Sequence, residues 1–344
     1  MSDLPGPAGA LIETGRELVR RSSSGRALLA RIADLVPQDR WTPDLADAHA
    51  AAREPVAPGA VRRALKDAWG RPPDRVLDAF DPEPVAATAT AQVHRGKHDG
   101  RPVAVKVRRA GLTAAVRSDL ALLDVLAVPL ARVLPAADTG AAVRELREMT
   151  LDELDLEHVA STQRQVRRAL RAVEGVVVPA PQLALCTEDV LVTEWLDGEP
   201  APAAERRRLA GRLLAAHEAA ARAGLVLVDP RPGHVLALRD GRLGLLGAGV
   251  ARPIDRDRAA AALDALHALR DQDADTFAAA TADRLGLLPR DRADEAHTLL
   301  TAVHSPEEAA DRAGDLLALA AVATPAPGDV AVARCLLQLA AVVR

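Results

Sequence analysis

A chain of 344 residues is long enough to bury a good core as one two-lobed unit or two domains, and its net charge of −4 gives no reason to expect a nucleic-acid-binding surface. Apolar residues make up 49% of it, but Ala, Leu and Val supply them: Tyr is missing and Phe occurs only at 80 and 277, so the core must be aliphatic. Cys186 and Cys335 offer neither a disulfide framework nor metal-ligand spacing, which suits a reducing compartment.

Apolar residues at helical spacing predict helices over 11–20 and 26–35, and the amino terminus lacks the basic region and apolar stretch of a secretory signal. Thr42-Pro43-Asp44 reads as a cap followed by Pro at the first helical position, and a helix over 61–69 is stopped by Gly70 and Pro72-Pro73. Short strands are expected at 89–94 and 103–107, joined through His98-Asp99-Gly100, an Asp-Gly hairpin signal. Helix is expected from 112 to about 172, broken by Glu174-Gly175, then strands at 176–178, 183–185 and 190–194. A long helix over 203–223 ends at Gly224, a residue suited to terminating it. Strands at 235–238 and 243–246 flank the turn Arg239-Asp240-Gly241, and the remainder is helical, with a capping box at Ser305-Pro306-Glu307-Glu308.

A membrane-spanning helix needs roughly 20 mostly apolar residues. The stretch 120–134 is interrupted by Asp124, Pro129 and Arg132, and 330–343 is short and carries Arg334, so no transmembrane segment is expected. A cytoplasmic protein follows as the expectation, peripheral at a membrane at most. Lysine occurs only at 66, 97 and 106, every other basic side chain being Arg. Lys106, kept against that bias, hints that an ammonium is wanted there; chance retention is the plain alternative.

The stretch Val228-Asp229-Pro230-Arg231-Pro232-Gly233-His234, followed by Gly244-Leu245-Leu246-Gly247-Ala248-Gly249, has the layout of a protein-kinase catalytic loop and metal loop. Asp229 stands at the catalytic Asp. His234 stands where an Asn would bind a second magnesium ion, and Gly247 where an Asp would bind the main one. Imidazole is a softer ligand, better suited to zinc or copper, and glycine offers nothing.

Four further segments lie in order around this centre. They are 80–95, with Ala87-Thr88-Ala89-Thr90-Ala91 leading to Gln92-Val93-His94; Val103-Ala104-Val105-Lys106-Val107; Glu153-Leu154-Asp155; and Val190 to Gly198, which includes Glu194-Trp195. With them the chain resembles, over about residues 40–285, the UbiB/AarF family of atypical kinases. The resemblance implies an α+β, two-lobed protein-kinase-like fold: a helical amino-terminal extension at 1–78, a small lobe at 79–194 and a mostly helical lobe at 195–344.

It also implies that the alanine-rich loop Ala87–Ala91 and Lys106 meet phosphates, that the Glu194-Trp195 backbone meets adenine, and that Gln92, His94, Glu153 and Asp155 are motif residues. For Gln92 and His94 a purely local role on the strand stands beside this, and the Trp195 side chain reads as core before it reads as adenine-facing. The family's Glu partner for the lysine falls at Val159, with Glu157 turned about 200° away on a helix. An amino-terminal Lys-x-Gly-Gln motif has its counterpart at Ser23-Ser24-Gly25-Arg26, where only the Gly remains.

These changes together predict a pseudokinase that binds ATP weakly, does not use magnesium, and serves as an accessory or regulatory factor. By likeness to the family its partner would be an isoprenoid-lipid enzyme or the lipid itself. Two other readings stay open: an active phosphotransferase or ATPase using Asp229, and a nucleotide-free scaffold.

Overall fold

A computed structural model describes residues 43–114, 116, 117, 120, 131, 132, 135–302, 312–332, 335 and 336. The helices expected over 11–20 and 26–35, the motif at 23–26, the cap Thr42, most of 120–134, the capping box at 305–308 and residues 337–343 lie outside them.

Two helices lead in: α1 (Pro43–Ala52) and α2 (Pro58–Trp69), each opening on a proline, whose missing N–H costs nothing there. Gly70 ends α2 with φ of 66°. Next come β1 (Ala79–Ala87), β2 (Ala91–His98) and β3 (Arg101–Arg108), then α3 (Thr139–Asp152), α4 (Leu156–Ala169), β4 (Val176–Val177) and β5 (Val190–Glu194). The small-lobe sheet is antiparallel in the order β1-β2-β3-β5. Its central hairpin closes at His98↔Arg101 through Asp99 and Gly100, both at positive φ (49° and 74°), the geometry in which the turn's twist matches that of the strands. One face of β3 and β5 (Val103, Val105, Val107, Val190, Val192) packs against Val61 and Leu65 of α2. Trp69 closes that layer by donating from Nε1 to the Leu185 carbonyl at 3.0 Å.

Beyond Trp195 the chain continues through the larger lobe, to which β4 already contributes a strand. It comprises β6 (Gly198–Pro200), α5 (Ala203–Arg222), β7 (Leu225–Leu227), β8 (Val235–Leu238), β9 (Leu243–Leu245), β10 (Ala251–Pro253) and α6 (Arg256–Asp271). A short α7 (Ala274–Ala278), a π-helical turn, α8 (Arg290–Thr301) and α9 (Ala313–Val322) follow. Strands β4-β9-β8-β6 make one sheet and β7 pairs with β10. Leu209, Leu213, Ala216 and Ala220 of α5 form the buried stripe that packs on Leu227, Val235, Leu243 and Leu245. Residues 228–234 therefore sit between two strands that both pack on α5.

Strands β6, β7 and β10 stand where the sequence suggested none, β10 in a stretch expected to be helical, and other elements also differ from the sequence expectation. The strand expected at 89–94 begins only at Ala91 and runs on to His98 as β2, and it is preceded across a turn by β1, which the sequence disguises because Pro82 and Pro84 argue against a strand. It tolerates them as the sheet edge, with register shifts around Pro84. Residues Leu183–Leu185 form a 3₁₀ turn, with Leu185 and Cys186 N–H groups donating to Gln182 and Leu183 carbonyls, because the segment sits beside β5 without joining its ladder. The helix expected over 112–172 is broken at 135–138, where Asp138 accepts from the Ala141 N–H and starts α3, and again at Glu153–Asp155, where Asp155 accepts hydrogen bonds from the Glu157 and His158 N–H groups and starts α4 afresh.

Candidate functional site

Alternation along β3 puts Val103, Val105 and Val107 in the core against α2, so Lys106 leaves from the opposite face. Burial is the main influence on its ammonium and lowers its pKa; the Arg231 guanidinium lowers it further, while Asp229 and Glu153 pull it back up. Glu153 is brought into this field by Arg108 at the end of β3. Its Nη1 donates to the Leu154 carbonyl at 2.9 Å and its Nε to Asp189 Oδ1 at 2.7 Å, tying the α3–α4 turn to the lysine's strand.

Asp229 follows β7, 6% exposed. Its Oδ2 lies 2.8 Å from Arg231 Nη2, an ion pair across two residues. The His234 ring completes the cluster: Nδ1 lies 2.9 Å from the Asp229 carbonyl, which only accepts, so the proton sits on Nδ1. That leaves Nε2 facing Arg231 Nη2 at 3.5 Å. Burial, then the nearby guanidinium, depresses the His234 pKa to about 4, so the ring is neutral at pH 7.

Gly247 lies directly under this ring. A Cβ built there would stand 2.3 Å from His234 Nδ1 and 2.8 Å from Cε1, and the backbone φ is 70°. The imidazole thus fills the space that any side chain at 247 would enter. Two residues thirteen apart in the chain are fitted to each other. No group of three or more His, Cys, Asp or Glu side chains placed to hold a metal ion occurs among the described residues.

Of the other expected site residues, Asp155 serves as the α4 cap just described. Val159 is 3% exposed and packs with Leu156, Ala160, Cys186 and Leu191, while Glu157 is exposed, as its helical position requires. Gly249 is pressed against Val159, with a virtual Cβ only 2.5 Å from its Cγ1.

Gln92 and His94 form a buried relay. Gln92 Oε1 accepts from Val56 N–H at 2.8 Å, Gln92 Nε2 donates to His94 Nε2 at 2.9 Å, and His94 Nδ1 donates to the Asp81 carbonyl at 3.0 Å. This pins the segment before α2 to the sheet, and burial lowers the His94 pKa, favouring its neutral form.

In the Ala87–Ala91 loop the Thr88 hydroxyl accepts from the Ala91 N–H at 3.1 Å, and more weakly from that of Thr90 at 3.3 Å, while the Thr88 N–H donates to the Ala91 carbonyl. Arg109 holds the loop from below, donating to the Thr88, Ala52 and Glu54 carbonyls. At the link between lobes, the Glu194 N–H donates to Ala180 and the Trp195 N–H to Pro102, and the Trp195 ring carries the Arg95 guanidinium at 4.9 Å. Lys106, Asp229, Glu153 and His234 are therefore one electrostatic cluster, whereas Gln92, His94 and Asp155 hold the scaffold. The sequence reading missed Arg231 and Arg108; their positions beside Asp229 and after Lys106 were the available signal, hidden in a chain where nearly every base is Arg.

A small twisted sheet carrying the lysine, over a helical lobe that presents the aspartate loop, is the architecture of a protein-kinase-like fold. The chain matches the ABC1 atypical kinase-like domain over residues 52–281, and it belongs to that family. Among its relatives, the probable protein kinase UbiB of Aeromonas salmonicida is 33% identical over 199 residues, covering 55% of this chain and 36% of that protein. The same-named protein of Aeromonas hydrophila is 34% identical over 181 residues, covering 50% of this chain and 32% of that protein. The matched stretch is thus about a third of the length of these relatives. A solved complex of Rv3197 with erythromycin from Mycobacterium tuberculosis shares the fold, with a TM-score of 0.61 and 24% identity over 93% of this chain and 86% of that one. No helix among the described residues is long and apolar enough to cross a membrane.

Proposed function

We propose that this chain is a degenerate ABC1-family protein that binds a nucleotide weakly and without magnesium, and acts as a regulatory or accessory factor instead of a kinase. The observation that carries this reading is the fit of the His234 ring over Gly247, with Arg231 paired to Asp229. Magnesium asks for near-octahedral oxygen coordination. Here one ligand position has no side chain and no room for one. The second is a neutral imidazole whose Nδ1 proton is already given to a carbonyl, and the remaining carboxylate is occupied by a guanidinium. These residues do not fit a protein-held magnesium ion.

Nucleotide entry is supported by Lys106, which leaves β3 on the face opposite the core and lies in the field of Asp229, Glu153 and Arg231. The Thr90 and Ala91 N–H groups already bond Thr88, and the Glu194 and Trp195 N–H groups are bonded within the protein. Fewer donors are left for phosphate and adenine than a glycine-rich loop and an open link would supply, which is why the affinity is expected to be weak. The accessory role toward an isoprenoid-lipid enzyme or its lipid rests on likeness to the UbiB proteins.

The test is a thermal-shift titration of wild type and Lys106→Ala with ATP up to millimolar concentration, beside an ATP-turnover assay. The reading expects a shift in wild type that Lys106→Ala loses, with no turnover above buffer. Turnover abolished by Asp229→Asn would establish an active phosphotransferase or ATPase instead, and absence of any shift would leave a scaffold.

A further inference from the structure

We infer that Arg231 is a phosphate-binding residue, and that its guanidinium and the Lys106 ammonium together take the uncomplexed polyphosphate of a nucleoside di- or triphosphate. This rests on the nucleotide reading above and goes further by naming the form of ligand bound and the residue that replaces the metal.

In a metal-assisted kinase a divalent cation bridges the protein's carboxylates and the phosphate oxygens. Here the group beside the surviving carboxylate is a side-chain cation. Arg231 Nη2 is held 2.8 Å from Asp229 Oδ2 and 3.5 Å from His234 Nε2, and the ring is itself fixed by its Nδ1–H on the Asp229 carbonyl. The guanidinium is positioned from two sides before any ligand arrives, and its side chain remains 25% exposed. Its planar array of N–H donors matches phosphate oxygens better than an ammonium does.

Lys106 feels Arg231 as a like charge and Asp229 and Glu153 as opposite ones. These four groups sum to zero with His234 neutral, so a polyanion meets no net repulsion and relieves the mutual repulsion of the two cations. Without Lys106 and Arg231, the two carboxylates would demand a metal before any phosphate could approach. Magnesium added to such a site finds Asp229 already paired with Arg231. It lowers the charge of the nucleotide and competes with the protein for it.

The experiment is isothermal titration of ATP into the full chain in EDTA and in excess magnesium, for wild type, Arg231→Gln, Arg231→Lys and Asp229→Asn, with melting temperatures as the control for folding. Wild type is expected to bind ATP in EDTA and to weaken severalfold in magnesium. Arg231→Gln should lose about tenfold or more in affinity, the worth of a charge-assisted contact, while Arg231→Lys keeps most of it. Asp229→Asn should bind ATP at least as tightly as wild type, because the carboxylate competes with phosphate for Arg231; a metal-dependent site would lose affinity. Inorganic tripolyphosphate should compete with ATP.

Unchanged affinity in a folded Arg231→Gln variant overturns the inference and leaves the nucleotide reading standing. Binding that requires magnesium, or no binding in any condition, overturns both. Should Arg231→Gln fail to fold, the sign of the magnesium effect on wild type still decides: equal or tighter binding in magnesium refutes the inference.

Discussion

Adding one methyl group at Gly247 tests the fit between this residue and the His234 ring. In Gly247→Ala the new Cβ would sit 2.3 Å from His234 Nδ1, 2.8 Å from Cε1 and 3.1 Å from Cγ, so the imidazole has to move. The ring is tied to the Asp229 carbonyl at 2.9 Å, and moving it strains or breaks that bond. Overpacking of this kind costs about 1–3 kcal/mol. The backbone adds its own penalty, since a side chain at φ of 70° is disfavoured by about 1–2 kcal/mol. The variant should therefore lose about 2–5 kcal/mol, read by urea denaturation followed by far-ultraviolet circular dichroism. His234→Ala alone should cost about 1–3 kcal/mol through its lost hydrogen bond and packing. In the double variant the steric part disappears and only the backbone part remains, so the two changes should be less than additive by about 1–3 kcal/mol. Additivity to within about 0.5 kcal/mol would refute the claim that the ring occupies the space above residue 247.

The His234 pKa of about 4, against an ordinary 6.5, carries a pH signature. Because the folded value is the lower one, the unfolded chain takes up the extra proton first as pH falls. Stability should drop between pH 6.5 and about 4 by an amount on the order of 3 kcal/mol, and this group contributes no slope above that window. Urea midpoints of wild type and His234→Asn across pH 7.5 to 4 should diverge, the Asn variant being flatter; parallel curves would contradict the assignment. Gln92→Ala strands the Val56 N–H and a His94 nitrogen, so it should cost about 1–3 kcal/mol while leaving ATP affinity unchanged. Lost ATP binding at full stability would show a direct ligand role. Gly249→Ala meets Val159 Cγ1 at 2.5 Å and the Val159 carbonyl at 2.6 Å, and should cost about 1–3 kcal/mol. Val159→Ala should rescue it only in part, because the backbone oxygen stays; complete rescue would mean the carbonyl contact is unimportant.

Much of the scaffold was legible because it rests on local chemistry. The Asp-Gly turn needed positive φ at both residues and has it, and the alternation of Val103, Val105 and Val107 announced which face Lys106 leaves from. The missing carboxylate at 247 was equally plain, being a matter of residue type. What stayed hidden depends on neighbours far along the chain. Pro82 and Pro84 disguise an edge strand, and the 3₁₀ turn at Leu183–Leu185 follows from a segment lying beside β5 outside its ladder. The relay from Gln92 to His94 was partly readable, since residues two apart share a strand face, but its ends at Val56 and Asp81 were not. The fit of His234 over Gly247 is steric and spans thirteen residues, which no periodicity records. Arg231 was overlooked because arginine is commonplace here and only its closeness to Asp229 sets it apart.

The central claim is that side chains have taken the place of the metal ions, and manganese(II) tests it most directly as a paramagnetic stand-in for magnesium. Electron paramagnetic resonance of manganese(II) titrated into the protein with ATP should show free and ATP-bound metal only, in wild type and in Asp229→Asn alike. A protein-held manganese signal in wild type that Asp229→Asn abolishes would mean that Asp229 still binds metal, and would contradict the account.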